Sequence, residues 1–116
     1  MGLQISMESA FYGYYYVSKD CISNTWDTKA IELYLLNTGY FSDNGNGSFG
    51  HNSTLLSLQL MLVSDYSSWS SNDYNSIDTN YVSIVSTKKN ESVIEQFFQD
   101  FEIFLGRQII EEANDD

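Results

Sequence analysis

The chain predicts an α+β fold: an antiparallel sheet of about four strands with two helices packed on one face, in the order β-β-α-β-β-α. Three observations carry this. Apolar and polar residues alternate in separate short stretches, two helical repeats stand apart from them, and 42% hydrophobic with 16% aromatic residues in a 116-residue chain suffices for a core within one domain, residues 1–116.

In chain order, Leu3, Ile5 and Met7 alternate with Gln4, Ser6 and Glu8, the period of a half-buried strand. Residues 10–18 (AFYGYYYVS) are β-prone and apolar on both faces, giving a second strand. Tyr12, Tyr14, Tyr15 and Tyr16 then read as strand core with hydroxyls at the rim. Gly13 marks a bulge or a close backbone contact. Glu8 and Ser9 form a poor turn, so one long bent strand is the alternative. Asn24 reads as a helix N-cap with Asp27 three residues on, and the helix runs over residues 25–37. Trp26, Ala30, Leu33 and the Tyr34–Leu35 step keep its spacing, and Gly39 is a C′ stop.

Residues 40–52 (YFSDNGNGSFGHN) read as a Gly/Asn loop. In residues 53–63, Leu56, Leu58, Leu60 and Leu62 alternate with Ser57, Gln59 and Met61, which predicts a strand, with a buried helix as the alternative. Residues 81–87 (YVSIVST) form a β-branched strand antiparallel to it. Asn90 caps a final helix over residues 91–113, whose apolar arc is Val93, Ile94, Phe97, Phe98, Phe101, Phe104 and Leu105. Glu91, Glu95 and Glu102 make an acidic stripe beside that arc. Ile103 and Ile110 fall outside it and meet a second layer or form a contact surface. Gly106 interrupts the helix at a cost of about 1 kcal/mol relative to alanine. Proline is absent, leaving turns to Gly, Asn, Asp and Ser.

Composition excludes several functions. The net charge is −11, and residues 30–87 contain no lysine or arginine, so binding of nucleic acid by phosphate neutralisation is excluded. One cysteine, Cys21, and one histidine, His51, cannot form an intrachain disulfide or the usual zinc sets; Cys21 reads as a small semi-buried thiol. The tract DNGNGS at residues 43–48 fails as a calcium loop, because Gly45 and Gly47 occupy positions that need oxygen side chains and Thr54 stands where a glutamate is needed. No phosphate-binding glycine motif is present, so neither a metal nor a cofactor is expected. A triad would have to use His51, and no nucleophile elbow accompanies it; the expectation is a protein that is not an enzyme. With no secretory signal and no run of about 20 apolar residues, the expected compartment is the cytoplasm, with no membrane partner.

The positive signal is residues 64–80, SDYSSWSSNDYNSIDTN. Seventeen residues is long for a connection, and such loops are functional or disordered. Tyr66, Trp69 and Tyr74 offer rigid contact area, while Asp65, Asp73 and Asp78 can steer and then pair with a basic surface. These six are the leading contact set, and Glu91, Glu95 and Glu102 are the second.

A small acidic α+β chain with no signal, no cofactor motif and an aromatic-acidic loop resembles the bacterial immunity proteins of contact-dependent inhibition and other polymorphic toxin systems. The resemblance is one of general style and carries no functional residue over. It implies a protein partner, a cognate basic toxin domain such as a nuclease, and a monomer or weak homodimer. Alternatives are a nucleic-acid mimic of the anti-restriction kind, a small ligand-binding domain using the tyrosine strand and His51, and a subunit of a larger assembly joined through Ile103 and Ile110.

Overall fold

The computed structural model describes residues 12–52, 54–68, 70–87 and 92–112. The predicted strand at Leu3, Ile5 and Met7 and the cap at Asn90 lie outside the described residues. The elements are β1 (Tyr12–Ser18), β2 (Trp26–Asp27), α1 (Thr28–Asn37), β3 (Phe41–Gly45), β4 (Ser48–His51), β5 (Leu56–Met61), a 3-10 turn (Ser71–Asp73), β6 (Asp78–Thr79), β7 (Tyr81–Thr87), α2 (Ser92–Leu105) and β8 (Ile110–Glu111). The α+β class holds, with two helices among the described residues. Among those residues the main sheet has six strands rather than about four, ordered β3-β4-β5-β7-β1-β8, and β2 and β6 make a separate two-stranded ribbon.

Neighbouring strands of the main sheet pair antiparallel. The predicted β5–β7 pairing is present, with Leu58 opposite Ile84. Period-2 alternation turns one side of each strand to the helices. One cross-strand row on that side runs Phe49, Leu58, Ile84, Tyr15. The next runs Leu60, Val82, Val17. Ile31 and Leu35 of α1 and Ile94, Phe98, Phe101 and Leu105 of α2 close over these rows as one core. The latter four are spaced as i, i+4, i+7 and i+11, one helical stripe. It is narrower than the predicted arc: Val93 and Phe104 are exposed. Phe104 instead stacks on Tyr34 of α1 at 4.2 Å between ring centres.

Gly13 marks no bulge, since pairing continues without a break from Tyr12 opposite Thr87 to Ser18 opposite Tyr81. It marks a close approach, because the Tyr15 ring folds back over it and a Cβ there would sit 2.5 Å from the Tyr15 hydroxyl. Of the tyrosine cluster, Tyr15 is buried, Tyr16 half-buried and Tyr14 exposed.

Two helix boundaries differ from expectation. Asp27, not Asn24, caps α1: its carboxylate accepts from the Lys29 backbone amide at 3.2 Å, while the Asn24 side-chain amide donates to the Asp20 carboxylate. Residues 26–27 are extended because they pair with β6, and the Trp26 indole donates to the Leu105 carbonyl at 3.0 Å. α2 ends at Leu105 rather than near 113, because Gly106 takes φ +73 and turns the chain back. Ile110 and Glu111 then pair with Tyr16 and Tyr15 at the sheet edge.

The expected loop over residues 40–52 is the β3–β4 hairpin. Asn46 (φ 54) and Gly47 (φ 79) form its turn, the left-handed pair that a tight hairpin requires. Phe41 and Phe49 anchor it in the core at 6% and 0% exposure.

Candidate functional site

Residues 64–80 are tied to the fold at several points. At the base, Asn80 is fully buried; its amide group donates to the carbonyls of Val63 and Ile22 at 3.0 Å each and accepts from the Val63 amide at 2.8 Å. Asp65 accepts from the Ser67 amide and hydroxyl, which holds its carboxyl below the usual range, and the side chain is exposed. Tyr66 packs beside Met61, Val63 and Tyr81 on the sheet face away from the helices and donates to the Lys19 carbonyl at 3.0 Å. Asp73 accepts from the Ser70 amide in a reciprocal cap on the 3-10 turn. Asp78 accepts from the Thr25 hydroxyl at 3.2 Å and lies opposite Asp27 in the ribbon. Trp69 and Glu91 lie outside the described residues.

Tyr74 lies on the helix side. Its ring covers Gly47 in the hairpin turn, where a Cβ would come within 2.5 Å of it. Its hydroxyl donates to Glu32 of α1 at 2.9 Å. Burial raises the Tyr74 phenol above its usual pKa, then the Glu32 hydrogen bond, then the charges of Glu32 and Asp43. Helix α1, the hairpin and the loop thus bring Glu32, Asp43 and Tyr74 into one electrostatic neighbourhood. All three belong to the stretch without a cation.

The second set occupies another layer. Glu95 and Glu102, one heptad apart on α2, flank a groove of about 280 Å³ floored by Phe98 and Ile109. Glu102 also accepts from the Ile109 amide at 2.8 Å, holding the chain as it leaves the helix. The leading loop set and this helix stripe therefore do not merge into one cluster of contacts. Glu32 and Asp43 share no sequence signal, because only the fold brings both to Tyr74.

His51 ends β4. Its Nδ1 accepts from the Thr54 amide at 3.2 Å, and its ring lies between Tyr40 and Phe41 at 5.7 and 5.2 Å. Cys21 is exposed rather than semi-buried, with its sulfur 3.1 Å from the Ser23 hydroxyl, whose hydrogen bonds lower the thiol pKa. Among the described residues, no group of three His, Cys, Asp or Glu side chains could hold a metal ion. No helix among them is long and apolar enough to cross a membrane. Comparison with known proteins gave no match: no family model, no curated protein and no solved structure is significantly similar to the chain.

Tyr15, Tyr34, Tyr66 and Tyr74 share a consequence for stability. Burial is the first cause raising each phenol above its ordinary value of 10.0. The folded chain keeps these protons where the unfolded chain releases them, so unfolding is favoured as pH rises. The contribution is fully present below the unfolded tyrosine pKa and is lost from about pH 10 upward. Urea midpoints should hold steady between pH 7 and 9 and decline from pH 10. A flat profile through pH 11 would contradict the burial of these phenols.

Proposed function

We propose that this chain is an acidic, protein-binding inhibitor that neutralises a cognate basic bacterial toxin, a nuclease foremost, by covering its active site or substrate surface. The observation that carries the reading is the convergence of loop, helix and hairpin at Tyr74, with Glu32 bonded to its hydroxyl and Asp43 acting on it. A net charge of −11 with a 58-residue stretch lacking any cation steers a basic partner, and carboxylates there compete with the phosphates of its substrate. Ring area from Tyr66 and Tyr74 is already fixed by internal hydrogen bonds, which lowers the ordering cost of association.

The test begins with recovery of partners from the native host at low and moderate salt, identified by mass spectrometry. A basic toxin domain whose retention weakens with salt is the expected result. Single charge reversals then separate the two surfaces. Asp65→Lys should slow association about 10-fold at low salt, while Glu95→Lys leaves it near the parent value. The reverse pattern would move the interface to the α2 groove. If neither reversal changes binding to that partner, the acidic-surface reading fails.

A further inference from the structure

We infer that the cavity beneath Tyr40 is a binding site for a small organic cation with an alkylated ammonium head. This site is separate from the surface proposed for a toxin and stands without it. The cavity measures about 300 Å³ and lies between the end of α1, the start of β3, the end of β4 and one face of α2. Its aromatic walls are Tyr34, Tyr40, Phe41 and Phe97, with His51 beside them. The helix α2 contributes Val93, Phe97 and Asp100 from one face, at the spacing of i, i+4 and i+7.

Three of the lining rings are steeply inclined to a neighbour. Phe41 is perpendicular to His51 at 89°, whereas Tyr40 is within 22° of parallel to His51. Tyr40 and Phe41 therefore present steeply crossed planes. Phe97 leans on Phe41 at 50°, with 5.1 Å between ring centres. Ring faces carry the negative part of the aromatic quadrupole, so crossed rings around one volume favour a cation there.

Formal charge in the cavity has the same sign. Among the described residues, Asp100 is the one carboxylate of the lining, and no lysine or arginine lines it. Gln96 donates to one Asp100 oxygen at 3.0 Å, fixing the group at the rim. Its charge reaches the cavity wall, since it helps burial hold the Tyr34 phenol above its usual value. The carbonyl end of α1 adds partial negative charge, because Thr38, the C-cap, lines the same space. Gly39, at φ +80, reverses the chain after that cap, and the Tyr40 amide donates to the Thr38 hydroxyl at 3.1 Å, which sets Tyr40 over the opening. A volume of this size sits at the small end of ligand pockets, at roughly 300 Å³, and suits a head group with a short chain.

Choline is the probe, and its neutral carbon isostere 3,3-dimethyl-1-butanol is the control. Both are titrated into the full chain at pH 7.5 with two-dimensional amide NMR as the readout. Choline should shift the amides of Tyr40, His51 and Phe97 to saturation, and the isostere should bind at least about 10-fold more weakly, as expected if charge supplies the selectivity. Tyr40→Ala and Asp100→Asn, both at exposed positions, should each weaken choline about 5- to 10-fold while the other amides keep their positions. Equal binding of the isostere would leave an apolar pocket and overturn the cation assignment. No saturable shift with choline, or shifts that both variants leave intact, would overturn the site.

Discussion

Asn80→Ala is expected to lower the thermal midpoint by roughly 12–20 °C, an effect larger than the few atoms removed would suggest. The side chain has no exposed surface and satisfies three backbone groups: the Val63 amide, the Val63 carbonyl and the Ile22 carbonyl. Alanine leaves all three without this partner, the two Val63 groups in buried bonds and the Ile22 carbonyl in a part-buried one. The two buried orphans cost about 1–3 kcal/mol each, so a total of about 3–5 kcal/mol is expected, and a domain of this length loses about 4 °C per kcal/mol. Asn80→Asp separates hydrogen bonding from volume, since it preserves shape and one acceptor but places a carboxylate in the same site. Its folded pKa should be raised by burial, so that variant should be most stable at low pH and lose stability as pH rises above about 4. Differential scanning calorimetry of both variants is the check. A fall of less than about 4 °C for Asn80→Ala would mean that the site relaxes or admits water, against the full burial of this side chain.

The same residue bears on the loop. Its backbone joins Met61 and Lys19, with the Asn80 amide donating to the Met61 carbonyl at 3.0 Å and the Lys19 amide donating to the Asn80 carbonyl at 3.1 Å. Asn80 thus closes the base of residues 64–80 against both β5 and the segment after β1. Loop length and serine content suggested a choice between function and disorder, and they carry no information about tertiary anchors. Tyr66 on the face away from the helices, Tyr74 on the helix side and Asn80 at the base make those anchors, through bonds spanning 47, 42 and 58 residues.

The elements that were legible in the sequence are those whose own period matches their burial. β5 and β7 alternate over most of their length because one face meets the helices, up to Met61 and Tyr81, which are buried on the other face, and α2 shows its stripe because Ile94, Phe98, Phe101 and Leu105 meet the sheet. The end of α2 was misplaced because apolar residues continue to Ile109 and Ile110, whereas Gly106 breaks the helix. A glycine near a helix end can be a tolerated interior residue or a stop, and the local sequence does not choose. The start of α1 was misplaced for a tertiary reason: Trp26 and Asp27 obey β6 and Leu105, both distant in sequence. The hairpin had a legible signal in Asn46-Gly47, the pair favoured in a tight β-turn. It was obscured by β3, whose Ser42, Asp43 and Asn44 are all exposed and show no alternation. The cavity could not be read at all, because its wall combines both helices with two strands and no spacing connects them.

Phe49→Ala provides the strongest test of that hairpin. If residues 40–52 were a solvated loop, removing one ring would change stability by no more than about 0.5 kcal/mol. In the structure Phe49 is fully buried, opposite Leu58, in the middle of the β3-β4-β5 ladder. Truncation there should cost about 3–5 kcal/mol, the lost transfer energy plus the cavity left behind. Tyr40→Ala, nine residues earlier and 57% exposed, should cost less than about 1 kcal/mol. Urea unfolding of the two variants compares them directly, and similar midpoints would remove the hairpin from the core. The consequence extends to both binding surfaces. The hairpin carries Asp43 and supports the Tyr74 ring over Gly47, and its two ends supply Phe41 and His51 to the cavity wall. Under conditions where Phe49→Ala remains folded, it should therefore weaken choline binding through a loosened wall, although Phe49 is not part of the cavity lining. A variant that loses stability but binds choline with the parent affinity would show that the cavity is held by the helices alone.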